Sequence, residues 1–122
     1  MTDNLPGEIR NAKIVGSTIK LTEAGHIHIY ISFDYGGAGQ SFISGSIYSG
    51  VYDELGNYGI DYIRELMLTV GVTKWDDLKD QCCRVRHDDN GVYAIGNLLR
   101  NYWFDPEKFK LGWKKTVIES RD

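Results

Sequence analysis

The ten residues His26-Ile27-His28-Ile29-Tyr30-Ile31-Ser32-Phe33-Asp34-Tyr35 alternate without a break. Odd positions are Ile, Ile, Ile, Phe and Tyr; even ones are His, His, Tyr, Ser and Asp. A period of two puts the sets on opposite faces of a strand, so one face needs a core and the other meets water or something polar. A helix cannot satisfy this pattern. The flanks extend it. Residues Ile9 to Leu21 read as a preceding strand, with Ile9, Val15, Ile19 and Leu21 on its apolar parity, Lys20 and Thr22 opposite, and Gly16 marking a bulge or a bend. Thr22-Glu23-Ala24-Gly25 is the turn between the two. Gly36-Gly37-Ala38-Gly39 then connects to a third strand from Gln40 to Tyr48, which makes an antiparallel meander.

From about Asn57 to Val70 the period changes to that of a helix. Tyr58, Tyr62, Ile63, Leu66, Met67 and Val70 form one stripe, while Asp61, Arg64, Glu65 and Thr69 face away. Gly71 stands where a left-handed C′ residue belongs, with Val72 closing a Schellman-type end. Thr73 is placed to cap a short helix over Lys74–Leu78, with Asp76 completing a capping box. Residues 81–87 and 91–97 predict a hairpin around Asp88-Asp89-Asn90-Gly91, in which Asn-Gly favours a type I′ turn. Asp105-Pro106-Glu107 reads as an N-cap with Pro at N1, starting a last short helix that contains Phe109. The resulting fold class is α+β: a βββ meander, a main helix, a short helix, a β-hairpin and a short C-terminal helix.

A chain of 122 residues fits one domain over 1–122, with an ordered core expected at about 8–111. The formal net charge is −3, which argues against a generic polyanion binder, since such domains are strongly basic. No direct nucleic-acid binding is therefore expected. The start, Met1 to Gly7, lacks the apolar run of a signal peptide, and no stretch has the length of a membrane span. Cys82 and Cys83 are adjacent, poor geometry for a structural disulfide and too few thiols for a structural zinc. Two reduced thiols in a cytoplasmic protein is the expectation.

Each candidate for chemistry has a plain structural alternative. His26 and His28, two apart on one strand face, are spaced like metal ligands; Asp34 has the same parity but lies roughly 26 Å along the strand. Polar-face histidines, with no metal and no cofactor, is the better reading. Gly36-Gly37-Ala38-Gly39-Gln40-Ser41 lacks the Gly-Lys-Ser/Thr ending of a phosphate loop and leads into a strand. His87-Asp88-Asp89 pairs an imidazole with carboxylates, but at the mouth of a hairpin, where turn chemistry explains the acids. No catalytic constellation emerges, and the chain is not expected to be an enzyme.

Two segments can be read either as a binding surface or as plain structure: a Gly/Tyr-rich window that is otherwise a twisted hairpin whose tyrosines cover the core edge, and acidic clusters that are otherwise a solvated surface. Between Tyr35 and Gly59 stand glycines 36, 37, 39, 45, 50, 56 and 59 and tyrosines 35, 48, 52 and 58. Tyrosine joins contact area to a hydrogen-bonding tip at low entropic cost. Tyr35, Tyr48 and Tyr52, with the acids Asp53, Glu54, Asp76 and Asp77, are the candidate partner-binding residues. His26, His28, Tyr30 and Tyr35 are the candidates for a small ligand. The exposed edge of the third strand favours a homodimer.

Three stretches carry a resemblance: Gly25-His26-Ile27-His28-Ile29 with Asp34-Tyr35-Gly36-Gly37-Ala38-Gly39-Gln40-Ser41-Phe42; Val70-Gly71-Val72-Thr73-Lys74-Trp75-Asp76-Asp77-Leu78; and Ala94-Ile95-Gly96-Asn97-Leu98-Leu99 with Trp103-Phe104-Asp105-Pro106. Over roughly residues 9–109 they resemble a family of small proteins encoded by bacteriophages and prophages. That resemblance implies an accessory protein in the cytoplasm of an infected bacterium. By context it implies an anti-CRISPR-like counter-defence inhibitor whose partner is a host protein or complex. A nucleotide-signal binder and a metal-dependent hydrolase are the alternatives.

Overall fold

The structure is a computed structural model that describes residues 8–36, 40–46 and 58–112. It is α+β. Strands β1 (Glu8–Leu21), β2 (Ile27–Asp34) and β3 (Gln40–Ser46) precede helix α1 (Tyr58–Val70) and a 3-10 turn at Trp75–Leu78. Strands β4 (Cys82–Asp88), β5 (Gly91–Gly96) and β6 (Trp103–Phe104) follow, and then helix α2 over 106–112. All six strands join one sheet in the order β3-β2-β1-β4-β5-β6, with every pairing antiparallel.

The organising strand is β1. Its first half, Glu8 to Lys13, pairs with β4, and its second half, Lys13 to Leu21, pairs with β2. Between them the register slips at Ile14/Gly16, a bulge, which is one of the two irregularities expected at Gly16. A Cβ on residue 16 would stand 2.7 Å from Ser32 Oγ, so any larger residue there would make the serine side chain turn aside. At the junction Asp80 N–H donates to Ile14 O (2.7 Å) and Ile14 N–H to Gln81 O (2.8 Å). The sheet coils far enough that β3 and β5 approach within 8 Å between Cα atoms, and α1 packs against the concave side.

That side is the core. Ile29, Ile31 and Phe33 of β2 are buried, as the alternation requires, with Ile14, Cys83, Val85, Ile95 and Phe104 from the other strands. Helix α1 contributes Tyr58, Tyr62, Leu66 and Val70, the expected stripe. Phe109 of α2 joins at the aromatic end, 5.5 Å from Phe104, 5.6 Å from Tyr58 and 5.9 Å from Tyr62.

Several expectations are corrected. In β1 the buried residues are Ala12 and Ile14, whereas Ile9, Val15, Ile19 and Leu21 are exposed. The core parity in the first half is even, and the bulge reverses it too late for Val15. Thr69 is buried, not outward: its hydroxyl donates to Glu65 O at 2.7 Å, which satisfies it within the helix. Thr73 caps nothing; Lys74 holds the extended N-cap position of the 3-10 turn with no side-chain hydrogen bond. The hairpin loop is Asp89-Asn90 rather than Asn90-Gly91. Gly91 takes φ +112° as the first residue of β5 and Asn90 is not left-handed, so the turn is not type I′. Strand β6 was not expected. The Schellman end does form: Gly71 has φ +96°, and the N–H groups of Gly71 and Val72 both donate to Met67 O (2.8 and 3.1 Å). Asp105 Oδ1 likewise accepts from Glu107 N (3.0 Å) and Lys108 N (3.3 Å), the expected N-cap. Tyr48, Tyr52, Asp53 and Glu54 lie outside the described residues.

Candidate functional site

The polar face of β2 looks away from the core. Its register sets Lys20 opposite His28, Thr18 opposite Tyr30 and Gly16 opposite Ser32, and directly opposed residues share a face. Along that face the rings form a row. His26 and His28 stack with centroids 6.5 Å apart at 16°, and His28 and Tyr30 follow at 6.0 Å and 38°. Tyr30 Oη stands 3.4 Å from His28 Nδ1, within hydrogen-bonding range. The helices engage the other side, where their buried residues meet Ile29, Ile31 and Phe33. The row presents flat rings, two imidazoles and the neighbouring Lys20 ammonium on a rigid sheet.

The two histidines thus come together, but among the described residues no cluster of three metal-ligating side chains forms. Tyr35 does not join them. It packs against the core side and stacks on His87, with centroids 4.8 Å apart at 27°. The small-ligand set inferred from sequence is therefore split between two faces. Asp76 and Asp77 are exposed on the 3-10 turn.

His87 does not pair with the adjacent acids. Asp88 Oδ1 accepts from Asn90 N at 2.8 Å and serves the turn. A register slip at Arg86/His87 turns the imidazole inward opposite Val92. Its Nε2 is buried without a hydrogen bond, 3.7 Å from Glu8 Oε2. Glu8 is its cross-strand neighbour on β1, a relation that only the long-range β1–β4 register reveals.

A second feature lies at the opposite end of the sheet. On β4, Arg84 and Arg86 alternate with buried Cys83 and Val85, so both point outward. Their guanidinium carbons stand over the Trp103 ring, 4.9 and 4.6 Å from its centroid. Arg84 is fixed further: Nε donates to Asn97 O (2.8 Å) and Nη2 to Arg100 O (2.7 Å). Beside this stack a cleft of about 430 Å³ opens between α1, the β4–β6 edge and α2. Glu65, Arg86, Trp103, Asp105, Lys108 and Phe109 wall it, with Ala94 and Phe104 at the back. The sequence signal for it was the Arg-x-Arg alternation facing a glycine, which strand pairing alone turns into a site.

Cys82 and Cys83 are both free, the first exposed and the second buried. Burial, and secondarily the neighbouring Cys82, push the Cys83 thiol up to about 12, which makes it a poor nucleophile. Among the described residues no helix is long and apolar enough to cross a membrane. No protein-family model matches the chain, and no curated protein is found similar to it.

Proposed function

We propose that this chain is a non-catalytic accessory protein of bacteriophage origin, acting in the host cytoplasm. It binds and inhibits a bacterial defence or nucleic-acid-processing complex, and the outward face of β1 and β2 is its contact surface. The observation that carries this reading is the His26–His28–Tyr30 row, stacked on a rigid sheet whose opposite face holds the core. Aromatic and imidazole rings fixed on a strand offer contact area at little entropic cost. Two aspects of the fold add weight. A shared, bulged β1, the order β3-β2-β1-β4-β5, a near-closed β3/β5 seam and a helix between the third and fourth strands form the connectivity of OB-type barrels. In those barrels the face of the second and third strands binds oligonucleotides and oligosaccharides, a surface that shares β2 with the one proposed. This supports the location by analogy of fold and says nothing of the partner.

The test combines capture with protection. The tagged protein should retain a stoichiometric bacterial partner from host lysate and protect phage in a defence assay. A variant carrying His28→Ala and Tyr30→Ala should lose both while keeping the wild-type melting profile. Wild-type protein that captures nothing and protects nothing would overturn the reading.

A further inference from the structure

We infer that the Trp103 cleft is a binding site for a nucleoside phosphate, distinct from the outward face of β2 and independent of the reading above. The cleft combines three kinds of group that one ligand class would use together. Arg86 and Lys108 stand on its walls, and two cations suit a phosphate dianion, the guanidinium as a planar fork and the ammonium as a point charge. Lys108 forms no ion pair among the described residues. Glu65 and Asp105 stand on the same cleft, Glu65 with Oε2 held by Arg64 at 3.1 Å. Asp105 turns Oδ1 to the amides of Glu107 and Lys108, which leaves its second oxygen to accept from a ligand hydroxyl or amine. Phe109 and the edge of the Trp103 ring provide apolar surface for a base, since Phe104 is buried behind them and the faces of the indole are taken by Gly96 and the two arginines.

Other ligand classes use only part of this set. A simple inorganic anion would leave the aromatic walls idle and would meet two carboxylates. A lipid or plain hydrophobe would desolvate the Lys108 ammonium without pairing it. A polyanionic strand would run past Glu65 and Asp105, which repel a phosphate backbone. A nucleoside monophosphate separates its dianion, its hydroxyls and its flat ring by a few ångströms each, and about 430 Å³ lies in the range of small-molecule sites. The position is held firmly: the Trp103 indole lies against Gly96, with Cε3 only 2.7 Å from where a Cβ would be, and Arg84 is tied to two backbone carbonyls.

Calorimetric titration of the full chain with AMP, GMP, CMP and UMP tests this, with adenosine and inorganic phosphate as partial ligands. At least one mononucleotide should bind saturably, and more tightly than adenosine or phosphate. Lys108→Gln, on an exposed helix position, should weaken that binding about tenfold, the loss of one charge-assisted hydrogen bond, with an unchanged melting temperature. Trp103→Phe should weaken it as well and remove any ligand-induced change in tryptophan emission. The inference is overturned if no mononucleotide binds at millimolar concentration, if phosphate alone binds as well as a nucleotide, or if both variants bind like wild type. Failure here is separable from failure of the inhibitor reading, because Lys108→Gln should capture a protein partner normally whereas the His28/Tyr30 variant should bind nucleotide normally.

Discussion

Gly96 and Trp103 oppose each other across β5 and β6, and the indole rests on the glycine so closely that a Cβ on residue 96 would stand 2.7 Å from Cε3 and 2.8 Å from Cδ2 and Cζ3. This contact places a bulky ring flat on an outward sheet face, under two arginines. A glycine in a strand often marks such a close approach.

Replacing Gly96 with Ala forces the indole off the sheet and disturbs its stacking with Arg84 and Arg86. The expected destabilisation is about 1–3 kcal/mol, the usual range for overpacking. In a Trp103→Ala background the same substitution should cost much less, because the clashing partner is gone. Urea unfolding of the four proteins in this cycle gives the coupling; equal costs in both backgrounds would contradict the contact.

Asn97 ties three elements together. Its Nδ2 donates to Thr69 O at the end of α1 (3.0 Å), and its Oδ1 accepts from Leu99 N (3.0 Å) and Arg100 N (2.9 Å). Asn97→Ala leaves these backbone groups without their partner, at a cost of about 1–3 kcal/mol. Thermal melts measure it, and hydrogen exchange at Leu99 and Arg100 should quicken first.

Gly71 ends α1 at φ +96°. Any residue with a Cβ resists this region by roughly 1–2 kcal/mol. Space is not the obstacle, since the nearest atom to an added Cβ is Asn97 Nδ2 at 3.6 Å. Gly71→Ala should lower stability by that amount, and Gly71→Asn by less, because Asn tolerates the left-handed region.

The paired cysteines should behave oppositely. At pH 8 a maleimide should label exposed Cys82 and spare buried Cys83, with both labelled in guanidinium. The folded state holds the Cys83 proton up to about pH 12, against an ordinary value of 9.0. The group's stabilising contribution is therefore complete below pH 9 and is lost as pH rises from 9 towards 12. Tyr62, raised by burial and then by neighbouring Tyr58, acts with the same sign at higher pH. Melting temperature should fall through this window, with a shallower slope in Cys83→Ala than in wild type.

Much of the secondary structure was legible because local chemistry decides it. The alternation from Ile27 to Tyr35, the stripe of α1, Gly71 and the Asp105 cap each depend on residues within a few positions of one another. What was hidden depends on distant partners. Ile19 and Leu21 have the composition of core residues, yet only the course of the sheet past α1 leaves them exposed. Glu8 and His87 meet through a register nearly eighty residues apart in sequence, with no local trace. Trp103 could be assigned to the core by composition; its position outside the sheet follows from the absence of a side chain at Gly96. Turn type at Asp89-Asn90 was misread because the bulge at Arg86/His87 moves the loop by one residue.

The division of β1 between two strand partners bears on the order of assembly. During synthesis the segment from Lys13 to Leu21 can find β2 as soon as the first hairpin has emerged, but Glu8 to Lys13 must wait for β4, made about seventy to eighty residues later. Until β4 is complete, the segment from Glu8 to Lys13 carries an unpaired edge, which is the state most open to wrong association. Folding of the N-terminal half is thus finished by the C-terminal half, and a truncated product ending after α1 should be soluble only with help from a chaperone.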